Sequence, residues 1–461
     1  MGSGASISAL VTRLGRWAGR QSWLLSLYRV LPDGLRSRVA LVFSSQMEQN
    51  LSFQRTRRWD EATAAQVRPT SARAAMAASG GEGVNLIGYF RGQFGLAESA
   101  RAFATSLNQH GYPIALRDTD IDVPHGMNDR SMEALLGDEL PYRASVVFVN
   151  PDHFESALER AQVGEREDSY LIGLWFWELA KVPSQWQPAI DRVDEIMVAT
   201  DFVAEAFRAV TDKPVTKVGF PLFEVECSAL EREDFGLPAK AFCFLCTFDF
   251  NSSIQRKNPL AVIKAFRAAF GEQRGDVFLM VKSSNGHRNP AVLRQLLDEI
   301  DGDPRIVLRD EIIDTHHLHA LQRCCDAYVS LHRAEGLGLG MAESMKLGKP
   351  VIATGWSGNM EFMNDENSLL VDSHLIDVGA GDYPSAEGLQ WAEPDIEHAA
   401  AQMRRVADDR EFAKRLGLRA SADIARTLSP QRTARVMTDR LADVAAKQPD
   451  LAVGRTASQK S

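Results

Sequence analysis

The sequence predicts an α/β protein: two Rossmann-like, doubly wound parallel-sheet domains with a cleft between them, preceded by a basic N-terminal extension. Three observations predict it. From Val84 onward, short apolar runs alternate with helix-length amphipathic stretches, the pattern of parallel strands joined by crossover helices and covered on both faces. Charge, proline and glycine interrupt the alternation around Leu222–Pro238, after which it starts again, giving two units rather than one. Late in the second unit, His332 to Asn359 reads HRAEGLGLGMAESMKLGKPVIATGWSGN. That is strand, glycine turn, helix, strand, glycine turn, helix, an order that aims the N–H groups of helix N-termini at whatever lies above them.

The expected boundaries are 1–80 for the extension and an Ala/Ser/Gly-rich linker, 81–225 for the first domain and 238–430 for the second. Residues 431–461 are read as a helix returning to the first domain, then a tail. A chain of 461 residues, 45% hydrophobic and 25% charged, suits two globular domains plus an extension. The net charge of -9 argues against a nucleic-acid partner. The five cysteines show no paired or metal-ligand spacing, so they are expected as buried free thiols in a reducing compartment. No apolar run approaches the ~18 residues of a membrane span.

Residues 1–58 hold nine arginines, no lysine and two acids, a net +7, which leaves -16 for the rest of the chain. Leu10, Leu14 and Trp17 fall on one helical face and Arg13, Arg16 and Arg20 on another. Such a segment can lie on an anionic membrane surface; a solvated or partner-packing arm is the competing reading.

In the first domain, strands are expected near Val84–Phe90, Ile114–Arg117, Ser145–Asn150, Leu171–Trp177, Glu195–Ala199 and Val215–Val218, with a helix over Ala97–Gln109. The turn after the first strand holds Gly92 and Gly95 but lacks the GxGxxG spacing of a dinucleotide site, so NAD binding is not expected. His153 follows the third strand, and ligands bind at strand ends in doubly wound sheets. Trp175, Trp177 and Glu178 combine indole faces that can stack on a sugar with a carboxylate that can hold hydroxyls; a packed strand end is the alternative for the tryptophans.

In the second domain, strands are expected near Phe242–Phe248, Val277–Lys282, Ile306–Leu308, Ala327–Leu331 and Val351–Ala353. Arg256 and Lys257 open a helix after the first of these. Glu335 and Glu343 stand eight positions apart with Gly336, Gly338 and Gly340 between them. An ionised carboxylate only accepts hydrogen bonds and so suits a hydroxyl-rich partner. Glycine turns at helix N-termini suit phosphate. Phosphate plus many hydroxyls describes a nucleotide sugar.

Glu335, seven residues and Glu343, set between SLHRAEGLG and KLGKPVIATGWSGN, resemble the signature of the retaining, metal-independent glycosyltransferases of family 4, which have the GT-B fold. The resemblance covers about Asn85 to Leu370 and extends toward Ala446. WFWEL, with the proline and tryptophan after it, resembles a branch of bacterial polysaccharide glycosyltransferases of mannosyl or glucosyl type. The resemblance implies that Glu335 holds the donor sugar and Glu343 the ribose. Backbone at Gly336, Leu337, Gly338, Ser357, Gly358 and Asn359 would contact sugar or phosphate, and Lys257 the pyrophosphate. The family commonly carries an arginine five residues before this lysine. Ser252 stands there instead, so Arg256 or Arg333 is expected to supply the missing charge. Gly92, Gly95, Trp177 and Glu178 would face the acceptor, and His153 stands where family members often place a catalytic-site histidine, with a plain surface histidine as the alternative.

No cofactor or metal is expected, only a donor of the GDP-mannose or UDP-glucose type. The acceptor would be a glycan or lipid-linked glycan in cell-surface polysaccharide or lipopolysaccharide synthesis. The expected place is cytoplasmic, with peripheral contact on the inner face of the membrane. A non-catalytic glycan-binding scaffold is the alternative, motivated by Ser252. Two decoys are set aside: Asp118-Thr119-Asp120 as a metal site, and His316, His317 and His319, whose spacing does not place three imidazoles on one helical face.

Overall fold

The computed structural model describes residues 51–65, 83–119, 126–163, 169–272 and 274–447. Residues 1–50 of the extension, with its expected amphipathic helix, the 66–82 linker, Asp120 and the tail beyond 447 lie outside them. The described part of the extension holds helix α1 (Arg57–Ala65). The first domain runs β1 (Val84–Gly88), α2 (Gly95–Gln109), β2 (Ile114–Asp118), β3 (Ala144–Val147), α3 (Phe154–Arg160), β4 (Tyr170–Leu174), α4 (Gln187–Arg192), β5 (Glu195–Val198), α5 (Asp201–Arg208) and β6 (Val215–Lys217). Its six strands are all parallel, in the order β2-β1-β3-β4-β5-β6.

The second domain begins with β7 (Phe242–Asp249), α6 (Ile254–Lys257), α7 (Pro259–Ala269), β8 (Val277–Ser284), α8 (Pro290–Ile300), β9 (Ile306–Asp310), α9 (Thr315–Cys324) and β10 (Ala327–Ser330). It continues through α10 (Leu339–Lys346), β11 (Val351–Thr354) and β12 (Leu369–Val371). These strands make a second parallel sheet, ordered β12-β11-β10-β7-β8-β9. The strands are near-continuously apolar because both faces are covered; β7, for example, is buried at six of its eight positions.

An antiparallel hairpin follows, β13 (Ser373–Asp377) and β14 (Gln390–Pro394). The chain ends in α11 (Ile396–Asp408), α12 (Arg410–Thr427) and α13 (Pro430–Lys447). The hairpin belongs to the second domain by sequence, yet Trp391, Val378 and Ala386 sit in the hydrophobic core of the first. Helix α13 crosses back as well. Ser106 on α2 donates to the Pro430 carbonyl at 2.7 Å. Arg440 grips the fully buried Glu195 of β5 through both carboxylate oxygens, a bidentate geometry that fixes register as well as charge.

The described part of the extension packs on the second domain. Phe53 and Trp59 are buried against Phe235, and Trp59 stacks edge-on with His317 at 5.0 Å. Arg55 pairs with Glu311, and Arg58 with Glu233 and Asp234. These two arginines therefore pair with this chain's own acids. No helix among the described residues is long and apolar enough to cross a membrane. The described cysteines are all free, and four of the five are buried.

Candidate functional site

In the second sheet the strand order reverses between β7 and β10, and in such sheets ligands bind beyond the strand ends at the reversal. The chain leaving β7 turns through Ser252 into α6, which carries Arg256 and Lys257. The chain leaving β10 runs through His332 to Glu335. The two meet: Lys257 Nζ donates to Glu335 Oε1 at 2.5 Å, and Arg256 Nη1 lies 3.0 Å from Oε2. Glu335 is buried. Burial pushes its carboxyl up, but Lys257, Arg256 and His332 outweigh that and hold it at about 2, so it stays ionised with lone pairs available.

The Glu335 backbone is fixed just as firmly. Its N–H donates to Ser357 Oγ at 2.8 Å, and its carbonyl accepts from Gly358 N–H at 2.8 Å. The contact requires glycine at 358, since a Cβ there would stand 2.1 Å from the Gly336 carbonyl oxygen. Gly338 precedes α10 at φ +92°, where a side chain is strained. His332 is fully buried. Its Nε2 faces two acceptors, Asn359 Oδ1 at 3.1 Å and the Trp356 carbonyl at 3.2 Å, so Nε2 carries the hydrogen. Asn359 in turn donates to the Thr354 carbonyl. His332 and Asn359 thus staple the loop after β10 to the loop after β11.

Glu343 lies one helix further on. Gln322 Nε2 donates to it at 3.2 Å, and His319 Nε2 lies 3.5 Å from its other oxygen. Across the cleft, Glu98 on the first turn of α2 is raised by burial and by the Glu343 charge. Gly95 opens that helix. Gly92 allows the tight turn before it; a Cβ there would strike Phe94 and Ala97.

Several expected roles are corrected. Arg256 is buried, with Nη1 donating to the Ala334 carbonyl at 2.8 Å, Nη2 3.6 Å from Glu178, and the guanidinium 5.9 Å from the Tyr383 ring centroid. It orients Glu335 rather than waiting free for a pyrophosphate. Arg333 pairs with Glu393, donates to the Gln255 carbonyl and lies over Trp391, so it secures the hairpin. Lys257, its side chain about a quarter exposed, is the cation of this group that reaches the cleft. Trp177 is buried between Trp186 and Tyr383, and its Nε1 donates to the Lys181 carbonyl; no face is left for a sugar. Glu178 accepts from the Tyr383 hydroxyl at 2.6 Å, so its carboxylate is already engaged. His153 is exposed on a short turn after β3 and shares no described hydrogen bond with this group.

Of the α9 histidines, His317 is buried under Trp59, and His319 lies beside Glu343. Asp118 accepts from the backbone and side chain of Arg91. No cluster among the described residues could hold a metal ion.

Residues 241–380 match the family described as Glycosyl transferases group 1. Trehalose synthase of Rubrobacter xylanophilus is 25% identical over 213 residues, 44% of this chain and 46% of that protein, so the match spans about half of that relative's length. Among solved structures, sucrose-phosphate synthase from Thermosynechococcus elongatus aligns with a TM-score of 0.59 at 15% identity, over 80% of this chain and all of that one. A glycosyltransferase from Rickettsia africae gives 0.56 at 12% identity, over 78% and 98%. Anabaena HepE in complex with UDP and glucose gives 0.54 at 14%, over 79% and all of that chain. With the two six-stranded parallel sheets, these likenesses show the GT-B fold.

Proposed function

We propose that this chain is a glycosyltransferase that moves a hexose, with retention, from a nucleoside-diphosphate sugar to a growing glycan. The observation that carries the reading is the Lys257–Glu335 pair at the strand-order reversal of the second sheet. A buried, ionised carboxylate is placed to accept from sugar hydroxyls, beside an ammonium that can turn to the departing diphosphate. Placed charge of this kind is worth about 3–4 kcal/mol in a transition state. Glu343 holds the ribose, and the turn at Gly336–Gly338 lines the sugar and phosphates, backed by the Ser357–Asn359 turn that holds the Glu335 backbone. HepE was crystallised with UDP and glucose, which supports a nucleotide-sugar donor; UDP-glucose and GDP-mannose are the types proposed. The diphosphate can take the acceptor's proton as the glycosidic bond breaks, so no side chain has to be the base, and Lys257 carries the work a metal would otherwise do.

The acceptor is a glycan or lipid-linked glycan, and residues 1–58 supply contact with anionic lipid. The test is release of nucleoside diphosphate from a panel of nucleotide sugars, with and without acceptor. Release from no donor would favour the scaffold reading, which draws on Ser252 and on the burial of Arg256 in ion pairs.

A further inference from the structure

A second recess lies where the two domains meet, on the other side of the Glu335–Gly336 backbone. It is a groove of about 460 Å³ between the start of α5 and the 355–361 loop, within the size range of small-molecule sites. Phe202 and Trp356 both line it and pack edge-on against each other in its wall, ring centroids 6.0 Å apart at 75°. Both are partly exposed, and Met360 beside them is 41% exposed. The wall is continuous with the donor site: Ser357 receives the Glu335 N–H, and Thr200 Oγ1 donates to the Gly336 carbonyl at 3.2 Å. Ser357 holds φ +80°, a conformation uncommon for a residue with a side chain and typical of functional sites.

The charge of the groove selects its occupant. Asp201, Glu205 and Glu361 line it, and no lysine, arginine or histidine does. Lys217, set behind, bridges Asp201 and Glu361. One ammonium against three carboxylates leaves the groove acidic. The start of α5 would ordinarily attract an anion, but the Asp201 N–H already donates to Glu361 at 3.0 Å, so that position is filled by the protein. A phosphate is repelled here. A neutral pyranose is suited: its C–H face meets the negative face of an aromatic ring, and its hydroxyls donate to carboxylates.

We propose that this groove is the acceptor subsite and takes a neutral hexose unit of a glycan, held on Phe202 and Trp356 with its hydroxyls on Glu205 and Asp201. The proposal rests on the glycosyltransferase reading for the word acceptor, but sugar binding here can be tested apart from it. Mannotriose, maltotriose and glucose 6-phosphate are titrated into the full chain, the wild type beside Phe202→Ala, by saturation-transfer NMR and calorimetry. UDP and GDP are titrated in parallel. At least one neutral trisaccharide is expected to bind, with affinity falling at least tenfold in Phe202→Ala. Glucose 6-phosphate should bind more weakly than the trisaccharide, and nucleoside diphosphate affinity should be unchanged.

Binding of neither trisaccharide, trisaccharide binding indifferent to Phe202→Ala, or a preference for glucose 6-phosphate overturns the proposal. Should Phe202→Ala not fold, Met360→Ala, at an exposed side chain, is held to the same criteria with a threefold loss. Trisaccharide binding sensitive to Phe202 with no nucleoside diphosphate bound would uphold the sugar site and overturn the donor reading instead.

Discussion

Tyr383 and Glu178 join the two domains: the phenol on the hairpin of the second domain donates at 2.6 Å to a carboxylate on the loop after β4 of the first. Behind them Arg256 lies 3.6 Å from Glu178 and 3.0 Å from Glu335. The carboxylate read as the donor-sugar ligand is therefore oriented by a chain of contacts that starts in the other domain.

Tyr383→Phe keeps the ring contacts with Trp177 and Trp391 and removes only the hydroxyl. A hydrogen bond to a charged group contributes roughly 1.5–3 kcal/mol, and unfolding free energy should fall by about that amount in urea titration. Turnover should fall more than donor affinity, because Glu178 then ceases to hold Arg256. Unchanged kcat with a raised KM would assign the hydroxyl to substrate contact instead.

Glu335 pairs with Lys257 and shares Arg256, which is buried, with Glu178. Truncation to alanine would cost about 3–5 kcal/mol of stability, so Glu335→Gln is the cleaner variant: it keeps shape and one acceptor oxygen. Donor turnover should drop at least tenfold. The acid limb gives a second measurement. The Glu335 carboxyl is held at about 2 against its usual 4.5. A lowered carboxyl stabilises the fold above the usual value and loses that contribution as pH falls toward 2. The wild type should therefore lose stability faster than Glu335→Gln between about pH 4.5 and 2. Parallel melting curves would remove Glu335 from this role.

Much of this was legible in the chain. Strand and helix alternation carries the two sheets because parallel strands are apolar throughout, and the Glu335–Glu343 spacing marks the loops that meet. Contacts across domains left no trace of that kind. Tyr383 sits in GDYPSAEG, a loop with no periodicity, and only its fold onto Glu178 gives it meaning. Arg256 and Lys257 are adjacent and look equivalent, yet α6 turns one into the interior and the other toward the cleft. Trp177 reads equally well as a sugar platform or as core, and the choice is made by Trp186 and Tyr383, which cover it. His332 could have been suspected, three residues before Glu335 and followed by Asn359 in the next turn.

Trp59 tests the arm. It is 2% exposed, packs on Phe53, Phe235 and His317, and donates to the Asp234 carbonyl at 3.2 Å. Trp59→Ala should cost about 3–5 kcal/mol if the arm and the second domain unfold together. A drop of under 1 kcal/mol in chemical denaturation would mean that the arm detaches first and contributes little to the fold.

Lys282, near the end of β8, is 6% exposed, and burial lowers its ammonium to about 8 from 10.5, against the opposing pull of Asp249, Asp310 and Glu311. A lysine lowered in the fold binds fewer protons folded than unfolded between those two values, so stability should rise with pH from about 8 to 10.5. Below that window the charged form is carried at a cost of about 3 kcal/mol, from roughly 1.4 kcal/mol per pKa unit. Lys282→Met keeps the length and apolar contacts of the stem and removes the charge. At pH 7 it should raise unfolding free energy by up to that amount, and it should flatten the rise with pH that the wild type shows. Nucleoside diphosphate affinity, measured on the same variant, separates cost from use: a buried charge kept only by packing leaves it unchanged, whereas a loss of tenfold or more would show that Lys282 is retained, at the expense of stability, for the donor. A variant less stable than wild type at pH 7 would mean that its attraction to the three acids outweighs burial.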